Sequence, residues 1–153
     1  KEFALPNPKL SGPWDESTFE TYLRETALPI RLSVVSSSGW PTIVSLWFVY
    51  DEGAIRCASK KSARIVKLLE KNTKCAFEVS GETPPYFGVR GQGKVTLDPK
   101  LGPKLLPKLI ERYVGPEDSC FRRWLLAQST EEVAIIINPI RVMSWDYRKR
   151  MSI

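Results

Sequence analysis

Six consecutive residues concentrate the chemistry available to this chain: Ser59, Lys60, Lys61, Ser62, Ala63 and Arg64. Apolar spacing places them at the start of a helix over 63–72, where Ile65, Leu68 and Leu69 share a stripe opposite Arg64, Lys67 and Lys71. A helix N-terminus carries roughly half a positive charge, so each cation there is of the wrong sign by about 0.3–1 kcal/mol. A bound phosphate reverses that balance, because amides, dipole, ammonium, guanidinium and hydroxyl groups then favour the same anion. A plainly solvated basic helix face is the alternative. The spacing is not that of a GxxxxGK phosphate loop.

The charge of the whole chain has the same origin. Its 153 residues carry 23 Lys plus Arg and 17 Asp plus Glu, a formal +6. Residues 56–74 hold seven of those cations (Arg56, Lys60, Lys61, Arg64, Lys67, Lys71, Lys74) against Glu70 alone, leaving sixteen of each sign elsewhere. This pattern predicts a local anion site rather than a field spread over the surface.

Histidine is absent. Serine–histidine and cysteine–histidine catalysis, His-ligated zinc and proximal-His haem are thereby excluded, and no metal site is expected. Cys57, Cys75 and Cys120 are scattered without a CxxC pair, which predicts reduced thiols in a cytoplasmic protein, the first two buried as small hydrophobes. The first residues, KEFALPNPKLSG, lack a charged-then-apolar leader layout, and no apolar run reaches a membrane span.

These residues must be positioned by a mainly β chain of one domain, 1–153. Residues 1–14, with three prolines, read as an extended arm. A helix over 16–27 follows, with Asp15 or Ser17 as its cap, then a strand over 30–35, a turn over 36–39 and a strand over 41–50. Val44, Leu46, Phe48 and Tyr50 alternate with Ile43, Trp47 and Val49, so both faces of that strand are expected to be covered. A turn at 51–53 makes 54–58 its hairpin partner. After the 63–72 helix come strands over 75–79 and 86–97. In the second of these, Phe87, Val89, Val95 and Leu97 face in, Arg90, Gln92 and Lys94 face out, and Gly88, Gly91 and Gly93 signal a bulge or bend. Helices over 103–114 and 117–128 precede two closing strands, 132–137 and 140–147, divided by Asn138-Pro139. Hairpin-linked strands with peripheral helices predict a β-barrel.

In that order the chain resembles the pyridoxamine 5'-phosphate oxidase-like group of FMN-binding split-barrel proteins. The matching features are the Gly39-Trp40-Pro41 hairpin, the strand TIVSLWF, Asp51 with Gly53, the strand IRCAS and Ser62 with Arg64. The helix tail KLLEKN, the block PYFGVRGQGKVTL and the last strand NPIRVMSWDYRKRM complete the set. The resemblance implies a six-stranded antiparallel Greek-key split β-barrel, dimeric, with two flavin sites between the subunits. It implies that Val44, Ser45, Leu46 and Trp47 run along the flavin ring, with Thr42 and Ile43 before them on the same strand. Ala58, Ser59, Lys61, Ser62 and Arg64 would hold the FMN phosphate, and Tyr86 would approach the ring from its other side. The Arg-Leu-His-x-Arg substrate motif of the vitamin B6 enzyme itself is missing from this sequence.

The resulting expectation is a flavin-dependent oxidoreductase acting on a small planar substrate, with no side chain singled out as catalytic, since a flavin carries its own hydride chemistry. A deazaflavin coenzyme with an anionic tail would suit the surplus cations equally. The rivals are a flavin-storing or sensing protein without catalysis, and a basic barrel binding single-stranded nucleic acid. Nucleic acid is disfavoured because the cations cluster at one helix start instead of alternating with aromatics along a face.

Overall fold

The β-branched and aromatic runs pair into one curled sheet in the computed structural model of the chain, which describes residues 7–151. The strands are β1 (Lys9–Ser11), β2 (Ile30–Val35), β3 (Pro41–Leu46), β4 (Phe48–Asp51), β5 (Ala54–Lys60), β6 (Lys74–Ser80), β7 (Phe87–Asp98) and β8 (Glu132–Asp146). The helices are α1 (Glu16–Glu25), α2 (Arg64–Lys71), α3 (Gly102–Tyr113), α4 (Cys120–Leu126) and α5 (Arg148–Met151). Neighbouring strands follow the path β3-β2-β6-β7-β8-β5-β4. β3 and β4 are consecutive in the chain yet stand at opposite ends of that path, so one stretch of chain supplies both ends of the curled sheet. Counted together they leave six strands in the half-closed barrel, all antiparallel; β1 adds to β8 in parallel.

The helix expected over 117–128 is found only at α4, Cys120–Leu126, β5 runs two residues past the expected end at 58, and two further boundaries give way. The strand over 41–50 is divided at Trp47, because β3 pairs with β2 as far as Leu46 whereas β4 pairs with β5 from Phe48 onward. The two closing strands are instead one. β8 runs through Asn138 and Pro139, and the proline produces a bulge rather than a break: Gln92 faces Arg141 and Gly93 faces Pro139, leaving Ile140 unmatched. Pro139 also falls in the gap between the last residue paired with β5, Ile137, and the first paired with β1, Arg141. A residue without an N–H is tolerated there.

Residues 1–6 of the expected arm lie outside the described residues. The rest is fastened rather than loose: β1 adds to β8, Trp14 is buried, and its N–H donates to Ser144 Oγ at 3.0 Å. Asp15 is the cap of α1, its carboxylate accepting from the Thr18 N–H at 2.8 Å.

The barrel interior holds Phe19 and Leu23 of α1, Ile65, Val66 and Leu69 of α2, and inward residues such as Leu32, Phe48, Phe77, Ile135 and Ile137. A second cluster lies outside the sheet, where Leu105 and Leu109 of α3 cover Trp47, Val49, Ala58, Ala134 and Ile136. β4 is thus covered on both faces, as its sequence requires. β3 is not: Ile43 is 71% exposed.

Gly91 faces Val142 on β8 and Phe77 on β6, just before the bulge. A Cβ there would run into the Arg141 carbonyl oxygen and lie 2.7 Å from Phe77 Cζ. Gly91→Val should therefore lower stability by about 1–3 kcal/mol or more, the cost of overpacking a rigid site. Urea denaturation checks this, and an unchanged midpoint would show the strand to be ordinary at that point.

Candidate functional site

The handover at Trp47 opens a gap. The β4–β5 ladder ends at the pair Phe48 and Cys57, and past it the chain turns away along β3 while β5 continues on β8. One lip of the gap carries Val44, Ser45 and Leu46; the other carries Ala58 and Ser59. β2 is the only strand paired with β3 among the described residues, so alternate N–H and C=O groups along β3 point away from any ladder. Side chains contribute little on this lip. Val44 and Leu46 pack against the barrel core, and Trp47 stacks on Tyr113 at 5.3 Å between centroids and 6° between planes. Ala58 packs beneath α3. What residues 44–47 offer a ligand is therefore main chain plus the exposed Ser45.

β5 leads out of this gap into the cationic turn. The Lys61 N–H donates to the Glu131 carbonyl at 2.9 Å, and the Ala63 N–H to the Lys60 carbonyl at 2.9 Å, so the turn is held by main chain. Lys60 Nζ is engaged by Gln128 Oε1. Its neighbour across the ladder, Glu132, has its carboxyl raised by burial, an effect that the Lys60 charge opposes. Ser62 does not cap α2: the cap residue is Ala63, and no side chain caps the helix. Lys61, Ser62 and Arg64 are exposed, and among the described residues neither cation forms an ion pair. The cluster is unneutralised.

Sequence reasoning missed what lies opposite. The β2–β3 hairpin brings Ser36, Ser37 and Ser38 against Arg64, Lys67 and Lys71, forming a cavity of about 340 Å³. Asn72 fastens this contact by donating to the Val35 carbonyl at 3.1 Å. The run of three serines was the one available signal, but it reads as an ordinary turn until the tertiary contact is known.

Tyr86 is not gathered in. It immediately precedes β7, whose Phe87 pairs with Asp146 at the end of β8, while Ser59 pairs with Val133 at its beginning. Within one chain, Tyr86 and the cationic turn stand at opposite ends of β8. The thiols take no part either: burial pushes Cys75 up to about 11 and Cys57 higher still, so both stay protonated. Among the described residues no group of three or more His, Cys, Asp or Glu could hold a metal ion, and no helix is long and apolar enough to cross a membrane.

No protein-family model and no curated protein matches this sequence. Solved structures do. A conserved hypothetical protein of Mycobacterium tuberculosis superposes with a TM-score of 0.77 at 21% identity, over 92% of each chain. The fold is the split β-barrel. An F420 reductase shares it with a TM-score of 0.68 at 24% identity, over 81% of this chain and 94% of that one. A FAD-binding protein of Mesorhizobium loti does so at 0.62 and 18%, over 86% and 93%. In the present split barrel the gap between β3 and β5 is the split itself.

Tyr113 holds that split in shape. Its hydroxyl donates to the Leu28 carbonyl at 2.8 Å and accepts from the Phe48 N–H at 3.2 Å, and burial raises its pKa. Tyr113→Phe leaves the Phe48 N–H without its acceptor, so a loss of about 1–3 kcal/mol is expected in chemical denaturation. A stability equal to wild type would mean that the handover needs no such tie.

Proposed function

We propose that the chain binds a flavin-type coenzyme in the split and works as an oxidoreductase on a small planar substrate. One observation carries this reading: the unneutralised turn of Lys61, Ser62 and Arg64 stands where β5 leaves a gap whose other lip is an open main-chain edge. A flavin monophosphate needs both features, a clamp for a dianion and a line of donors and acceptors for a heteroaromatic ring. The residues fit. Lys61, Ser62 and Arg64 would hold the phosphate, the guanidinium as a two-pronged donor, while the main chain of residues 44–46 would face the ring. The bound flavin would supply hydride transfer. The chain's own part is to hold and orient, and to keep the Trp47 side of β4 dry beneath α3.

A deazaflavin coenzyme with an anionic tail is the second reading, favoured by the cavity in which Lys67 and Lys71 face Ser36, Ser37 and Ser38. FMN ends at its phosphate, which would meet that cavity at Arg64 and leave Lys67 and Lys71 unused. A longer tail would enter it.

The reading also asks for a second copy. Tyr86 stands far from the turn within one chain, and Ile43, Ile140 and Met143 are 71, 51 and 40% exposed on the outer sheet face. Apolar surface of this kind on a soluble barrel is surface to be covered. Sedimentation should give a dimer at micromolar concentration; a stable monomer would remove Tyr86 from the site.

The phosphate clamp is tested by charge. Arg64→Gln should leave folding unchanged, since the side chain is exposed and forms no ion pair among the described residues. FMN binding, followed by flavin fluorescence, should weaken by about ten- to a hundredfold, the loss of a charge-assisted pair worth about 1.5–3 kcal/mol. Riboflavin, which lacks the phosphate, should bind both proteins alike. Equal FMN affinity in the variant would place the phosphate elsewhere and overturn the reading.

A further inference from the structure

A second basic cavity lies on the other side of the β4–β5 ladder, beneath α3. It measures about 380 Å³, and its lining includes Arg24 of α1, Arg56 of β5, and Lys104, Lys108 and Arg112 of α3. No run in the sequence announces it, because three separate elements deliver the five cations. Asp51 is the carboxylate in the lining; Glu20 and Glu52 sit just outside, 3.6 Å from Arg24 and 3.1 Å from Arg56. Five positive charges therefore meet three negative ones. Lys104, Lys108 and Arg112 form no ion pair among the described residues.

Arg112 is the sharper case. Its guanidinium donates to the carbonyls of Leu23 and Arg24, each at 2.8 Å, and to that of Thr26, which satisfies N–H groups but neutralises no charge. The Nε atoms of Arg112 and Arg56 are both buried without an acceptor among the described residues. Both residues are half-buried: Arg56 has Glu52 as a counter-charge, whereas Arg112 faces the carbonyl end of α1 and the rings of Phe48 and Tyr113. The remaining wall is Val49, Leu101 and Leu105 with Tyr50, whose hydroxyl donates to Glu20 at 3.4 Å. At about 30 Å³ per water the cavity has room for roughly a dozen waters, more than a bare inorganic anion fills and within the usual size of small-molecule sites.

We propose that this cavity binds a small organic phosphate monoester, its dianion against Lys104, Lys108 and Arg56 and its apolar body against Val49, Leu101 and Leu105. The site stands independently of the flavin reading, since it shares no residue with the turn or the split.

Phenyl phosphate is the probe, titrated calorimetrically into the protein. With one equivalent of FMN present to fill the clamp at Lys61, Ser62 and Arg64, one equivalent of phenyl phosphate should bind per chain, with inorganic phosphate and phenol each at least tenfold weaker. Lys104 and Lys108 are exposed on α3, so Lys104→Gln with Lys108→Gln should fold as wild type, checked by circular dichroism, and bind phenyl phosphate about ten- to a hundredfold more weakly. Lys67→Gln with Lys71→Gln should bind it unchanged. Absence of saturable binding beside one equivalent of FMN, wild-type affinity in the α3 variant, or loss in the α2 variant would each overturn the proposal.

Discussion

Between Leu46 and Phe48 the chain changes neighbours, and the rest of the architecture depends on that exchange. Before Trp47 the strand belongs to β2; after it, to β5. A strand that served one partner throughout would leave either a flat sheet or a barrel closed without a seam. The exchange is stable because residue 47 is held from outside: its ring is stacked on Tyr113, and the next N–H finds the Tyr113 hydroxyl. One aromatic residue of α3 thus ties down the handover, and the helix that bears it also lines the second basic cavity.

β8 is the complementary constraint. It pairs with β7 along one edge from Ala134 onward, and with β5 and then β1 along the other, so it joins the two halves of the curled sheet and the N-terminal segment. Sequence patterning read the two halves of β8 correctly and separated them at Pro139, because a proline is locally a stop signal. Only the pairing pattern shows that the bulge at Ile140 accommodates it. The same limit applies at Trp47, where the run from Thr42 to Tyr50 alternates without interruption and nothing local marks the change of partner. Elements with a strong local period, such as α2, α3 and β7, were legible nearly to the residue.

Of the candidate site, charge was legible and depth was not. The cations of residues 56–74 are adjacent in sequence, so their cluster is visible by inspection. The serine hairpin facing α2, and the meeting of Arg24, Arg56 and α3, join residues far apart in the chain and leave no periodic trace. Trp47 illustrates the converse. As a large aromatic on a candidate ligand strand it invites a stacking role, yet its ring faces Tyr113 and the α3 cluster, so its contribution to the split is positional.

The open lip of the split has a colloidal meaning as well as a chemical one. Residues 42–48, TIVSLWF, form an uncharged, β-favouring stretch without glycine or proline, and among the described residues one edge of β3 has no partner strand. Such an edge is a template on which another extended chain can add. The main-chain groups that could receive a flat heteroaromatic ring are the same groups that could receive a foreign strand. The edge that the proposed site would use is thus also exposed to misassembly, and a ligand lying in the split would shield it.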